Sequence, residues 1–129
     1  MSKLKPLIII ITLTVLLIVG GCLSLYALKT ESQELSSSLL TLEEDIENQN
    51  WNEASRKLEE FHSKWDKTGL VWSMLIDHYE IDNIELVLSH LISYVKTQDK
   101  NEALSQMSSL KTLIKHIPAK ESFNLQNVF

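Results

Sequence analysis

The chain has 129 residues, a net charge of −5 and a single cysteine, Cys22. Only Lys3 and Lys5 are charged before Lys29, so residues 29–129 carry −7; that argues against nucleic acid and against docking along an anionic lipid surface, both of which need a basic face. With one cysteine there is no internal disulfide, so the part after the apolar start must be one small domain held by packing alone.

The first element is the uncharged run Pro6 to Leu28, PLIIIITLTVLLIVGGCLSLYAL. As a helix it reaches about 34 Å, enough to cross a hydrocarbon core of about 30 Å. Three readings compete. A permanent span has Lys3 and Lys5 on the cytoplasmic side and Tyr26 at the outer interface. A lipoprotein signal is suggested by Val19-Gly20-Gly21-Cys22, which would make Cys22 a lipidation site, but Leu23 to Leu28 stays apolar where a lipoprotein turns polar. A cleaved signal peptide lacks a clean A-x-A site. The residues weigh toward the first: a cytoplasmic tail over 1–6, an anchor over 7–28 and an extracytoplasmic domain over 29–129. Gly20 and Ser24 form a small-xxx-small pair, which is also ordinary in membrane helices.

Four blocks of helical spacing follow. They are Leu35, Leu39, Leu42, Ile46; then Trp51, Ala54, Leu58, Phe61, Trp65; then Ile81, Ile84, Leu88, Leu91, Val95; then Ala103, Met107, Leu110, Ile114, Ile117. Each gives one apolar stripe opposite a polar face. Asn50 with Glu53, and Asp99 with Glu102, are spaced as capping boxes. Gly69 is expected to end the second helix in a left-handed conformation, and Pro118 to end the fourth. The acidic run Glu43-Glu44-Asp45 and the pair Glu59-Glu60 read as solvated faces.

These signals repeat at an offset of 49: Gln49 to Ala54 aligns with Gln98 to Ala103, and the stripes on either side follow. The fold expected is therefore all-α, an N-terminal transmembrane helix followed by a small antiparallel bundle of two helical hairpins. Its turns are tetratricopeptide-like in chemistry, but the period is not the 34 residues of that repeat. Between the hairpins the stripe Trp72, Ile76, Tyr79 gives way to one beginning at Ile81, which predicts a break near Tyr79 and Glu80 with Asp82 and Glu85 as a further capping pair. The apolar tail, Phe123 to Phe129, is expected to fold back over the bundle.

The block Trp72-Ser73-Met74-Leu75-Ile76-Asp77-His78-Tyr79-Glu80-Ile81-Asp82-Asn83-Ile84-Glu85, the Asp99 to Leu104 turn, and the ending His116-Ile117-Pro118 through Asn127-Val128-Phe129 resemble the bacterial family catalogued as domain of unknown function 4363. The likeness covers nearly the whole chain. It implies a short anchored helical protein and brings no assigned activity.

Chemistry is sparse. Trp72, His78, Glu80, Asp82 and Glu85 are the one cluster worth weighing; His78, Asp82 and Glu85 share a helical face, as a metal or acid–base site would require. Zinc needs three or four ligands at a defined spacing, and His62, His90 and His116 add no such pattern, so helix capping is the simpler account and no metal or cofactor is expected. Trp51, Trp65 and Trp72 sit at stripe positions, where core filling suffices without a ligand pocket. No nucleophile elbow is present, so no catalytic residue and no enzyme are expected. The expected role is protein interaction: the domain, held by the lipid bilayer through its N-terminal helix, contacts a partner protein. The alternatives are a tethered ligand or metal sensor using Trp72 to Asp82, and a structural scaffold of the cell envelope.

Overall fold

The computed structural model describes the backbone of residues 3–128 and the side chains of 3–118. Four helices follow one another: α1 (Leu4–Glu47), α2 (Trp51–Leu75), α3 (His78–Lys96) and α4 (Lys100–Val128). No strand occurs among the described residues. The short turns make successive helices antiparallel. α1 packs on α2 and α4, and α3 packs on the same two, which leaves α1 and α3 across the diagonal of a four-helix bundle. The all-α architecture read from the stripes is the one the chain adopts.

The stripes form a single core. Every residue of the four blocks is buried except Trp51, which is half-buried and packs on the core's edge. Each fully buried Leu, Ile or Phe contributes about 1.5–3 kcal/mol relative to exposure. Trp65 and Trp72 meet edge to face, with ring centroids 5.7 Å apart and planes at 89°. Trp72 Nε1 also donates to Glu31 Oε2 at 2.6 Å, which fixes the height of α2 against α1.

The first and third turns are copies. Gln49 and Gln98 have left-handed backbone, with φ of 58° and 57°. The Asn50 amide donates to Asp45 O at 2.8 Å and the Gln49 amide to Ile46 O at 3.1 Å. The equivalent bonds in the third turn run from Asp99 to Tyr94 (2.9 Å) and from Gln98 to Val95 (3.1 Å). Both are Schellman closures, which satisfy carbonyls at a helix end. This geometry blocks the expected capping boxes. The amides that Glu53 and Glu102 would take are already donated backwards, so only half of one box forms: Asp99 Oδ1 accepts from the Glu102 amide at 3.3 Å, whereas Asn50 makes no side-chain cap.

Several expectations need correction. Gly69 does not end α2, which runs on to Leu75, and no glycine has positive φ. Its role is spatial: a Cβ there would stand 3.0 Å from Trp65 Cε2. The break falls at Ile76 and Asp77, both extended, rather than near Tyr79 and Glu80. The cap is Asp77, whose Oδ1 accepts from the Tyr79 amide at 3.2 Å, while Asp82 lies inside α3. Tyr79 leaves the Trp72 stripe and is exposed. Pro118 sits within α4, whose backbone stays helical through Val128. How the tail from Phe123 to Phe129 packs lies outside the described residues. The acidic faces are not all solvated either. Glu43 pairs with Lys111 of α4 at 2.6 Å, and Asp45 with Lys57 of α2 at 2.5 Å.

α1 joins two environments without a break. Its 44 residues make a rod about 66 Å long. It is long and apolar enough to cross a membrane, and none of its apolar stretch is buried against the bundle. Within that stretch the Thr12 and Thr14 hydroxyls donate to Ile8 O and Ile10 O, both at 2.8 Å, so their polar groups are satisfied inside the helix. Burial starts at Leu28 and recurs at Ser32, Leu35, Leu39, Leu42 and Ile46.

Candidate functional site

A groove of about 1030 Å³ runs along the seam between α1 and α4. One wall is α1 from Leu25 to Leu40, and the other is α4 from Ser108 to Pro118. It therefore starts beside the last turn of the apolar run and climbs the bundle. Stripe periodicity places it: with one face of each helix in the core, the flanking positions of the antiparallel pair form a shared trough.

The floor explains a residue that composition alone does not. Ser32 is the buried polar side chain of this core, and its Oγ donates to Ile114 O at 2.9 Å. In a regular helix that carbonyl would accept from the amide four residues on. That residue is Pro118, which has no N–H. Ser32 replaces the missing donor and thereby lets α4 pass through a proline.

The groove walls carry hydroxyls at Ser36, Ser37, Ser108 and Thr112, an amide at Gln33, and cationic groups at Lys29, Lys111 and Lys115, with His116 beside them. No carboxylate belongs to the described lining. Lys111 is neutralised by Glu43, while Lys29 and Lys115 face the groove with no ion pair to a carboxylate among the described residues. In a chain of net charge −5 this is a local inversion of sign. Leu25 at the lower end and Leu40, which is exposed, supply apolar contact. Such a surface offers charge and hydrogen-bonding groups along its length.

The residues singled out from sequence lie elsewhere. His78, Asp82 and Glu85 are exposed on α3, Glu80 is half-buried in its first turn, and Trp72 points into the core toward Glu31. Trp72 is thus separated in role from the other four. Among the described residues no group of three potential metal ligands comes together. Cys22 is exposed on α1 within the apolar run. A Cβ added to Gly20 would meet nothing within 4 Å. Among the described residues, Glu53 and Arg56 on the solvent face of α2 perturb one another: the guanidinium's hydrogen bonds and charge hold the carboxyl below its ordinary range, and the carboxyl raises the guanidinium.

A family model described as Domain of unknown function (DUF4363) matches residues 22–128. The chain belongs to the DUF4363 family. No curated protein and no solved structure matches it. The DUF4363 match begins at Cys22 and so takes in α1 from Cys22 onward, both groove walls and all three turns. Groove and bundle are thus one continuous DUF4363 unit with the top of the apolar run.

Sequence reasoning missed the groove because its residues are ordinary surface types. A signal was nevertheless present: Ser32 falls at a stripe position, four residues after Leu28 and three before Leu35, where an apolar residue is expected.

Proposed function

We propose that this DUF4363 protein is a single-pass membrane protein with its N-terminus in the cytoplasm and its bundle at the outer face. There it serves, without catalysis, as an accessory module for a partner protein. Lys3 and Lys5 beside a short tail support that orientation. The non-catalytic reading is supported by the groove's chemistry, a row of cations, hydroxyls and an amide. The observation that carries the proposal is the unbroken α1, one helix that runs from the apolar stretch into the wall of the α1–α4 groove; with that stretch in the bilayer, the groove would stand at a fixed height and orientation. An acidic segment of a neighbouring membrane protein matches its charge.

Site-specific photo-crosslinking in native membranes tests this. A crosslinker at Ser37, in the groove, is expected to give a discrete heterologous protein adduct that Lys115→Glu abolishes. The same crosslinker at Leu86, exposed on the diagonal helix α3, should not give that adduct. Equal labelling from both positions, or an adduct indifferent to the charge at 115, defeats the proposal.

A further inference from the structure

Apart from the groove, the clearest departure of the bundle from solvated behaviour is at the α2–α3 end. The outward face of α2 carries Arg56, Glu60, Ser63 and Lys67 over its upper turns, all exposed. The same face then turns apolar at Leu70, Val71, Met74 and Leu75, which are 65%, 45%, 76% and 37% exposed. Across the Ile76–Asp77 break, Tyr79 is 68% exposed in the first turn of α3. A solvated amphipathic helix has no reason to change the polarity of its outer face in its final turns.

The height of this patch relative to α1 supplies a reason. The bond from Trp72 to Glu31 brings those two residues level. With α2 antiparallel to α1 and rising about 1.5 Å per residue, Leu75 is level with about residue 28 of α1, and Leu70 stands about 7 Å above it. Residue 28 is Leu28, where the uncharged run ends. The interfacial layer on each side of a bilayer is about 5–7 Å thick. With α1 spanning the bilayer as proposed above, the apolar turn falls in the layer of headgroups.

We propose that the α2–α3 turn is a second membrane contact, with Leu70, Val71, Met74, Leu75 and Tyr79 seated in the headgroup layer of the leaflet from which the bundle rises. The contact rests on the anchor reading above, and it is apolar rather than electrostatic, in keeping with the domain's acidity. Tyrosine suits this layer because its ring is apolar and its hydroxyl stays wet. Two points of attachment, α1 and the turn, hold the bundle against tilting about its anchor.

The test uses the full chain with Cys22→Ala in phosphatidylcholine proteoliposomes, carrying one environment-sensitive fluorophore on an introduced cysteine. The sites are Met74→Cys, Asn52→Cys at the far end of the bundle, and Leu16→Cys in mid-span. Quenching is read with aqueous iodide and with lipids bearing spin labels near the headgroup or deep in the chain. The fluorophore at 74 is expected to lose most of the iodide quenching seen at 52, to be quenched by the shallow spin label, and to keep this behaviour in high salt. The fluorophore at 16 is expected to respond to the deep label. Iodide quenching at 74 equal to that at 52 overturns the contact, as does shielding at 74 without lipid quenching, which would mean that protein covers the patch. If position 16 ignores the deep label, the anchor reading itself falls and the contact falls with it.

Discussion

Ser32 and Pro118 are 86 positions apart in the chain, yet they are linked through one acceptor: Ser32 donates to Ile114 O, the carbonyl that Pro118 has no amide to fill. Removing the Ser32 hydroxyl leaves Ile114 O buried without a donor, at a cost of about 1–3 kcal/mol. Pro118→Ala returns an amide to the helix, so Ser32→Ala is expected to cost clearly less in that background than in the native one. A double-mutant cycle from denaturant unfolding in detergent reads this coupling; additive effects would show that the hydroxyl does not stand in for the proline's amide. Gly69 makes the opposite kind of point. Alanine is favoured over glycine within a helix by about 1 kcal/mol, but here its Cβ meets a Trp65 ring already clamped edge to face by Trp72. Gly69→Ala is expected to lower the melting temperature, and to raise it once Trp65→Leu opens the space. The Glu53–Arg56 pair is fully exposed, so its effect is small and screened by salt. Because the Glu53 carboxyl is lowered by folding, what it contributes is present above the ordinary carboxylate range and is lost as pH falls through the depressed value. Arg56→Gln should remove that acid-limb dependence from a pH series of melts.

At the level of elements, the two Schellman turns carry a cost in their sequence. Gln49 and Gln98 hold left-handed backbone with a full side chain, which disfavours each by about 1–2 kcal/mol relative to right-handed geometry. Gln49→Gly and Gln98→Gly are therefore each expected to raise stability by about 1 kcal/mol, with additive gains because the turns close different hairpins. A loss in either variant would mean that the glutamine side chain contributes contacts outweighing its backbone strain. These turns also show why some of the fold is legible in sequence and some is not. Stripe positions such as Leu39, Phe61 and Met107 are fixed by a single number, the helical period, and burial follows directly. Helix ends depend on competition for individual amides, and the offset repeat located the turns without revealing that the Asn50 and Asp99 amides were already taken. Gly69 and Pro118 looked like terminators because their backbone effects are local, whereas their actual partners, Trp65 and Ser32, are supplied by helix packing. The groove was illegible for the same reason: Lys29 and Lys115 become neighbours only when α1 and α4 pair.

For the molecule as a whole, the decisive property is that α1 continues from its apolar run into the bundle, so the orientation of the bundle is tied to that of the apolar run. Inserting residues between Tyr26 and Ala27 leaves Leu28 and the later core positions in phase with one another; it changes how the bundle is held and, within the groove, displaces only Leu25 at its lower end. One added alanine rotates the bundle by about 100° and lifts it by about 1.5 Å; seven added residues rotate it by only about 20° and lift it by about 10 Å. Orientation and height are thereby separated. If a partner is met in the α1–α4 groove at a set azimuth, the single alanine should abolish the crosslink from Ser37 while leaving the fluorophore at 74 in the headgroup layer, since rotation about an upright axis does not change height. A seven-residue helical insert of alanine, glutamate and lysine should release position 74 to iodide, and the crosslink should survive only if the partner's segment reaches that far. Melting temperatures of both variants should match the parent, because no core residue is displaced. Should both insertions leave crosslinking and lipid quenching untouched, α1 would be acting as a slack tether, and a helix without a break at residue 28 would have no part in how the groove is presented.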